Sequence, residues 1–142
     1  MKISENFVIQ EFVPKRVYEI FGENSIWLID PRIVAFCQWL RDYMQKPIII
    51  NNWHRAGQYD ESGYRDPTSD TGAHFSQHRS GRAVDIKVEG HLPETIRQIV
   101  RLNYDTLVVK FGISTIEKDT PTWCHVDCRW TGLNELLEIP YK

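Results

Sequence analysis

Two segments of the chain carry apolar residues at helical spacing. In the first, an Asp-Pro pair at 30–31 offers an N-cap followed by proline at the first helical position, and apolar residues recur at helical intervals as far as Met44. Pro47 sets the limit of this helix. A second helix is predicted to begin at Pro93. A shorter helical piece is expected over 17–21.

Alternation of apolar and polar side chains predicts two strands. Over 83–88 the apolar residues share one face, which places Asp85 on the other face. The same alternation runs over 123–130 and places His125 on the face that carries most of the polar residues. We therefore expect Asp85 and His125 to project from strands whose opposite faces are apolar.

Two short apolar runs are predicted as further strands. The run at 48–50 is β-branched, and the run at 107–111 precedes a glycine turn, so that a hairpin between 107 and 128 is expected. Between the elements, 53–77 forms an unusually long connection rich in polar residues, and such loops often carry function. The pattern favours an α+β fold in which helices flank a small antiparallel sheet, with the whole of 1–142 forming one domain.

Composition agrees with one ordinary globular domain. The chain has 142 residues, of which 42% are hydrophobic and 25% charged, so extensive disorder is excluded. Three widely spaced cysteines, an odd number, do not resemble the framework of a disulfide-rich secreted protein. We expect the chain to fold in a reducing compartment.

Charge and hydropathy narrow the possible partners. Seventeen basic and nineteen acidic residues give a net charge of −2, which disfavours nucleic-acid binding. No apolar run approaches the roughly 20 residues that a membrane-spanning helix requires. The first ten residues lack the apolar stretch of a secretory signal, so the protein is expected to be cytoplasmic as synthesised.

Three residues are candidate metal ligands: His78, Asp85 seven residues later, and His125 on the other predicted strand. Two imidazoles and one carboxylate suit Zn²⁺. A catalytic zinc site needs three protein ligands and an open position for water. The spacing alone does not establish that the three residues share a metal.

Other candidate ligands are less consistent with the pattern. Cys124 and Cys128 suggest a zinc knuckle, but on a strand they face away from His125, so we interpret them as buried apolar cysteines. His54 and His74 flank the long loop and are interpreted as residues without a metal role.

Local sequence strengthens the metal hypothesis. Residues 76–85, Ser-Gln-His-Arg-Ser-Gly-Arg-Ala-Val-Asp, resemble the S-x-H-x-x-G-x-A-x-D signature of the zinc D-Ala-D-Ala carboxypeptidases, peptidase family M15. Residues 123–127, Trp-Cys-His-Val-Asp, resemble the second zinc-binding segment of that family. Residues 6–12 resemble the N-F-x-x-x-E-F entry of its short phage-type members, and 48–55 resembles its I-x-S-G-Y-R segment, with Asn-Trp-His in place of Ser-Gly-Tyr.

The resemblance implies roles for particular residues and a hedgehog/D-Ala-D-Ala peptidase fold. His78, Asp85 and His125 would bind Zn²⁺. Arg55 would bind a substrate carboxylate or polarise the scissile carbonyl, for which a guanidinium has suitable bidentate geometry. Ser76 would form a hydrogen bond to the substrate or to a zinc ligand.

The general base is the point where the sequence departs from the family pattern. Family members commonly carry a Glu or Asp three residues before the last zinc histidine, and this chain has Thr122 there. Three other carboxylates are candidates. We rank Asp119 first, Glu117 second and Asp127 third.

The leading hypothesis is a zinc metallopeptidase that hydrolyses a peptidoglycan stem peptide near a D-amino acid, as a carboxypeptidase or as an endolysin-type peptidase of phage origin that acts on the cell wall after release. The alternative, motivated by Thr122, is a catalytically inactive cell-wall-binding or phage structural module that keeps the fold, with or without the zinc. A metal-dependent nuclease is disfavoured because the chain has no basic stripe.

Overall fold

A computed structural model describes residues 1–141, which contain four α-helices and a four-stranded sheet. The helices are α1 (Lys15–Phe21), α2 (Pro31–Met44), α3 (Pro93–Leu102) and α4 (Tyr104–Phe111). The strands are β1 (Ala83–Ile86), β2 (Thr115–Glu117), β3 (Cys124–Asp127) and β4 (Leu137–Ile139). This arrangement confirms the predicted α+β class.

The sheet has the strand order β1-β3-β2-β4 and is mixed. β3 lies in the centre and pairs antiparallel with both β1 and β2, as expected for the predicted sheet. The expectation that the whole sheet is antiparallel is wrong, because β4 pairs with β2 in parallel. The chain that leaves β3 passes over the end of β2 and enters β4 on the far side of β2. β4 therefore runs in the same direction as β2, whereas two neighbouring strands joined by a hairpin run in opposite directions.

Helix α2 forms for the reasons that the sequence indicates. The Asp30 side chain accepts a hydrogen bond from the backbone N–H of Arg32 at 3.0 Å, and Pro31 occupies the first turn. The helix ends at Gln45, whose φ of 53° is left-handed, before Pro47 is reached. Its buried face supplies a large part of the core: Ile33, Val34, Phe36, Cys37 and Leu40.

The strand predicted over 107–111 is wrong, because these residues form the last turns of α4. The β-branched pair Val108 and Val109 suggests a strand, but only Leu107 in this segment is fully buried, and Val109 is 84% exposed. One buried position per turn suits a helix packed on a core. The predicted hairpin exists, but β2 is its first arm.

The run at 48–50 makes a single bridge between Ile49 and Lys87 instead of a strand. The pairing stops because the next backbone donor, the N–H of Asn51, turns to the carbonyl of Glu11 at 3.0 Å. The short segment nevertheless fixes Lys87 through two backbone hydrogen bonds of 2.8 and 2.9 Å.

The long loop over 53–77 covers the face of β1 from which Asp85 projects. All four residues of β1 are buried, since the core packs on one face and the loop lies beside the other. The Asp85 N–H donates to the Ser62 carbonyl at 2.7 Å, and the Arg65 N–H donates to the His78 carbonyl at 3.1 Å. The loop is therefore part of the folded structure around β1.

Cys37, Cys124 and Cys128 are free and buried, which confirms the interpretation of Cys124 and Cys128 as buried apolar cysteines. In the part of the chain that the structure describes, no helix has the length and apolar character to span a membrane.

Replacement of Gly81 by alanine should disturb the turn between the His78 segment and β1. Gly81 has a φ of +71°, and an added Cβ would overlap the Leu28 carbonyl oxygen. We expect Gly81→Ala to lower the free energy of unfolding by at least about 3 kcal/mol, measured by urea denaturation.

Gly90→Ala is the matched control, because Gly90 has a φ of +80° with no atom near the added Cβ. It should cost only the left-handed backbone penalty of about 1–2 kcal/mol. Equal costs for the two variants would contradict the close approach at Gly81.

Candidate metal centre

The three candidate ligands reach one point from three neighbouring segments. His78 lies in a short 3-10 helix, Gln77–Ser80, that the Ser76 hydroxyl caps by accepting the His78 N–H at 3.2 Å. Asp85 lies on β1 and His125 on β3, directly opposite each other in the antiparallel register. The structure thus brings together the residues that the two sequence signatures contain.

The ligand atoms converge on one oxygen of Asp85. His78 Nε2 lies 3.2 Å from Asp85 Oδ1, and His125 Nδ1 lies 3.1 Å from the same oxygen. One ligand atom from each residue lies within 4.8 Å of the others. All three side chains are buried. This spacing is compatible with one shared metal ion.

The other nitrogen of each imidazole has a fixed partner. His78 Nδ1 lies 2.7 Å from the Gly63 carbonyl oxygen, which can only accept, so His78 carries its proton on Nδ1. His125 Nε2 lies 2.8 Å from Asp127 Oδ2. The lone pairs of Nε2 in His78 and Nδ1 in His125 are therefore available to a metal, which is the arrangement that metal-binding histidines favour.

The chemistry of the three side chains fits a bound cation. Two imidazole lone pairs and a carboxylate oxygen, all acceptors, face one another in a buried space, and such a group requires a cation or a proton between its members. Arg65 and Arg129 do not fill this role. Arg65 binds Asp85 through Oδ2, the oxygen that the histidines do not contact, and Arg129 binds both oxygens of Asp127, which lies behind His125.

In the metal-free protein a proton supplies this cation. Burial lowers the pKa of His125, but the hydrogen bonds and charges of Asp127 and Asp85 outweigh burial and raise it to about 9. Burial raises the pKa of Asp85, but the two histidines outweigh it and hold that carboxyl well below its usual range. Metal binding must therefore displace a proton from His125 at neutral pH.

The three candidate bases occupy different environments. Glu117, at the end of β2, places Oε1 at 3.3 Å from His125 Nδ1. Asp119 is exposed and does not line the cavity that contains the cluster. Asp127 lies behind His125 and is already bound to its Nε2 and to Arg129. Of the three, only Glu117 faces the side of the cluster where the ligand atoms converge.

Arg65, and not the Arg55 that the sequence suggests, lies beside the cluster. Arg55 does not line the cavity of the cluster and lies instead in a separate cavity of about 420 Å³ with Glu11 and Arg41. Arg65 lines the cavity of the cluster, and its Nη2 donates to Asp85 Oδ2 at 3.1 Å. A signal for Arg65 was present, since residues 62–65 read Ser-Gly-Tyr-Arg, the same letters that 48–55 matches only at the arginine.

The cluster lies in a cavity of about 880 Å³ whose wall is largely the long loop. Ser76 lines the cavity close to His78, whereas His54 and His74 do not line it. Aromatic side chains are also present in the lining: Tyr59, Phe75, Trp123 and Tyr141. The loop that the sequence marks as functional therefore shapes access to the cluster.

Lys87 is a lining residue that the sequence analysis did not single out as functional. Its Nζ donates to the Ser62 hydroxyl at 3.1 Å and lies 4.1 Å from the centre of the Tyr59 ring. Burial lowers the pKa of Lys87 to about 8, although the charge of Asp85 opposes this change. Lys87 lies two residues beyond Asp85 and therefore projects from the same face of the extended chain, and the folded loop shows that this face lines the cavity.

Zinc affinity should depend on pH because His125 is protonated in the metal-free protein. Between pH 7 and 8.5 we expect the apparent association constant to rise about tenfold per pH unit, measured by competition with a chelator. Folding raises the His125 pKa, so the protonated ring stabilises the metal-free protein at neutral pH, and this contribution is lost as the pH rises through about 9. A pH-independent affinity over this range would contradict the proton displacement.

The comparison with known proteins agrees with this geometry. A family model described as Peptidase M15 matches residues 20–127, about three quarters of the chain, and the match includes all three candidate ligands. No curated protein and no solved structure matches the chain significantly. The match over most of the chain shows that it belongs to the peptidase M15 family.

Proposed function

We propose that this protein is a zinc-dependent peptidase whose active site is the cluster of His78, Asp85 and His125. The observation that carries the proposal is the convergence of two oriented imidazoles and a carboxylate within 4.8 Å, beside a further carboxylate, in an open cavity. Family membership supports a peptide as the substrate.

The three side chains would hold Zn²⁺ through His78 Nε2, Asp85 Oδ1 and His125 Nδ1. Nitrogen and oxygen donors in this number are typical of catalytic zinc, which keeps a position open. When bound, zinc lowers the pKa of a water molecule and polarises a carbonyl group. Asp127 and Gly63 keep the two imidazole rings in the orientation that leaves their lone pairs facing the metal.

Glu117 would act as the general base. Its carboxylate lies on the open side of the cluster and half-buried, where it can accept a proton from the attacking water and transfer it to the leaving amine. It replaces the carboxylate that family members commonly carry at the position of Thr122. The neighbouring strand β2 supplies this carboxylate, because Asp119 in the loop before β3 lies outside the cavity and Asp127 on β3 lies behind His125.

Arg65 and Ser76 would support the reaction from the cavity wall. Arg65 positions Asp85 by binding its outer oxygen, while the Arg65 Nε is held by the Glu61 carbonyl at 2.9 Å. The Ser76 hydroxyl accepts the His78 N–H and keeps its own O–H free to donate to a substrate carbonyl. Arg55 lies in a separate cavity, which disfavours the substrate-binding role that the sequence suggests for it.

The substrate we propose is a peptidoglycan stem peptide, cut near a D-amino acid by carboxypeptidase or endolysin-type action. This part of the proposal rests on the resemblance of the zinc segments to those of the D-Ala-D-Ala carboxypeptidases and of the N-terminal entry to that of short phage-type members of the family. A phage-encoded protein that acts on the cell wall after release is consistent with it.

An inactive cell-wall-binding or phage structural module is the second candidate, because Thr122 cannot serve as a base. The position of Glu117 favours the enzyme, since it supplies a carboxylate 3.3 Å from a zinc ligand atom. Turnover by the wild-type protein decides between the two candidates.

Substitution of Glu117 should abolish most of the activity while the metal is kept. We expect Glu117→Gln to lower kcat for a cleaved muropeptide by about 10²–10⁴-fold, with zinc content unchanged, because a glutamine cannot accept the proton. Kinetics by chromatography of the products, together with elemental analysis, measure both effects.

Asp119→Asn is the control, because Asp119 is exposed and lies outside the cavity. It should leave kcat within a factor of two or so, as expected for a surface substitution. Loss of activity in Asp119→Asn but not in Glu117→Gln would transfer the role to Asp119. A zinc-loaded wild-type protein that binds muropeptides without cleaving them would support the inactive module.

A further inference from the structure

We propose that Lys87 forms a binding subsite for a carboxylate of the substrate, so that the enzyme prefers peptides carrying a carboxylate one or two residues from the scissile bond. This inference rests on the proposed peptidase function and adds to it a substrate class, acidic peptides. It concerns binding next to the reacting atoms and assigns Lys87 no role in proton transfer.

The backbone places the ammonium group close to the metal ligands. Lys87 follows Asp85 by two residues in extended chain, so that both side chains project from the same face, about 7 Å apart at their Cα atoms. Both line the same cavity. The bridge to Ile49 holds the Lys87 backbone through hydrogen bonds of 2.8 and 2.9 Å, so the position of the side chain is anchored at its base.

The hydrogen-bonding capacity of Lys87 is only partly used. A lysine ammonium has three N–H donors. One donates to the Ser62 hydroxyl at 3.1 Å. The ammonium group also makes a cation–π contact with the Tyr59 ring, whose centre lies 4.1 Å from Nζ. At least one donor remains for a ligand in the cavity, and the two neighbours fix the direction in which it points.

Three lysine and arginine side chains line the cavity, Arg65, Lys87 and Arg129, and in the described part of the chain Lys87 is the one without a carboxylate partner. Arg65 pairs with Asp85 at 3.1 Å, and Arg129 pairs with Asp127 at 2.5 Å. Within residues 1–141, no carboxylate oxygen lies within 4.0 Å of the Lys87 Nζ. A half-buried positive charge without a counter-ion favours binding of an anion.

The acidic residues of the loop do not compete with a substrate carboxylate for the Lys87 ammonium group. Asp60 and Glu61 line the cavity, but both carboxylates lie near Arg16, at 3.9 and 3.5 Å. The Glu61 carboxylate also accepts a hydrogen bond from the Ser69 hydroxyl. Their charges are therefore partly offset by a cation outside the cavity lining, and Lys87 stays available.

The distance defines where the substrate carboxylate would lie. An extended peptide advances about 3.3 Å per residue. A substrate carboxylate bound to Lys87 would therefore lie one or two residues along the peptide from a scissile carbonyl held at the cluster. Two sources fit this chemistry: the C-terminal carboxylate of a peptide trimmed from its end, or an acidic side chain of a peptide cut internally. The experiment separates these sources.

Three versions of one peptide that the wild-type enzyme cleaves provide the test. The first ends in a free carboxylate, the second in an amide, and the third is the amide with glutamate in place of glutamine two residues from the scissile bond. We expect the wild type to prefer the first or the third over the second by about tenfold to a hundredfold in kcat/KM, mainly through KM, as is typical of a charge-assisted hydrogen bond.

Lys87→Met should reduce this preference at least tenfold, whereas Lys87→Arg, which keeps the charge, should retain most of it. Lys110→Met is the control for loss of one positive charge, because Lys110 is exposed on α4 and outside the cavity lining. It should leave the preference unchanged. A preference that persists in Lys87→Met, or that is absent from the wild type, overturns the subsite.

Equilibrium binding to the zinc-loaded Glu117→Gln protein separates failure of the subsite from failure of the peptidase function. Tighter binding of a carboxylate peptide than of its amide, lost in the double variant with Lys87→Met, supports the subsite even where the wild type shows no turnover. Equal binding of the acid and the amide overturns the subsite and leaves the peptidase function intact.

Discussion

The antiparallel register between β1 and β3 is the constraint on which the site depends. It sets Asp85 opposite His125, so two of the three ligands are brought together by backbone hydrogen bonds before any metal is present. A shift of one residue in either strand would turn one ligand into the core and a hydrophobic residue into the cavity. The apolar faces of both strands pack in the hydrophobic core and make such a shift costly, so the core and the site enforce the same pairing.

The third ligand and the outer contacts depend on the loop that covers β1. Gly63 orients the His78 ring, and Arg65 binds the far oxygen of Asp85, so one short stretch of the loop contacts two ligands. Polar groups buried in this way must be satisfied by one another or by an ion. The same part of the loop lines the cavity that a peptide would enter. A change in the loop conformation would therefore affect both the metal ligands and substrate access.

Much of this arrangement follows from sequence, for reasons that particular residues show. Alternation around Asp85 and His125 indicates the faces from which they project, and the resemblance of the two zinc segments to the family signatures identifies the ligands. The base and the arginine depend on tertiary structure instead. Glu117 reaches His125 only because β2 pairs with β3, which no local pattern reports. The Ser-Gly-Tyr-Arg segment at 62–65 marks Arg65, but only the folded loop shows that Arg65 contacts Asp85. The residues 107–111 of α4 read as a strand in the sequence because β-branched residues favour strands, and only their burial in the fold shows a helix.

Metal content measured on the purified protein tests the central claim most directly. After incubation with zinc and removal of the excess, elemental analysis should find one zinc per wild-type chain and essentially none in His78→Ala or His125→Ala, with the folded state checked by circular dichroism. His91→Ala, which replaces an exposed histidine outside the cavity, should retain the metal. A wild-type protein that binds no zinc, or ligand variants that keep it, would contradict the account.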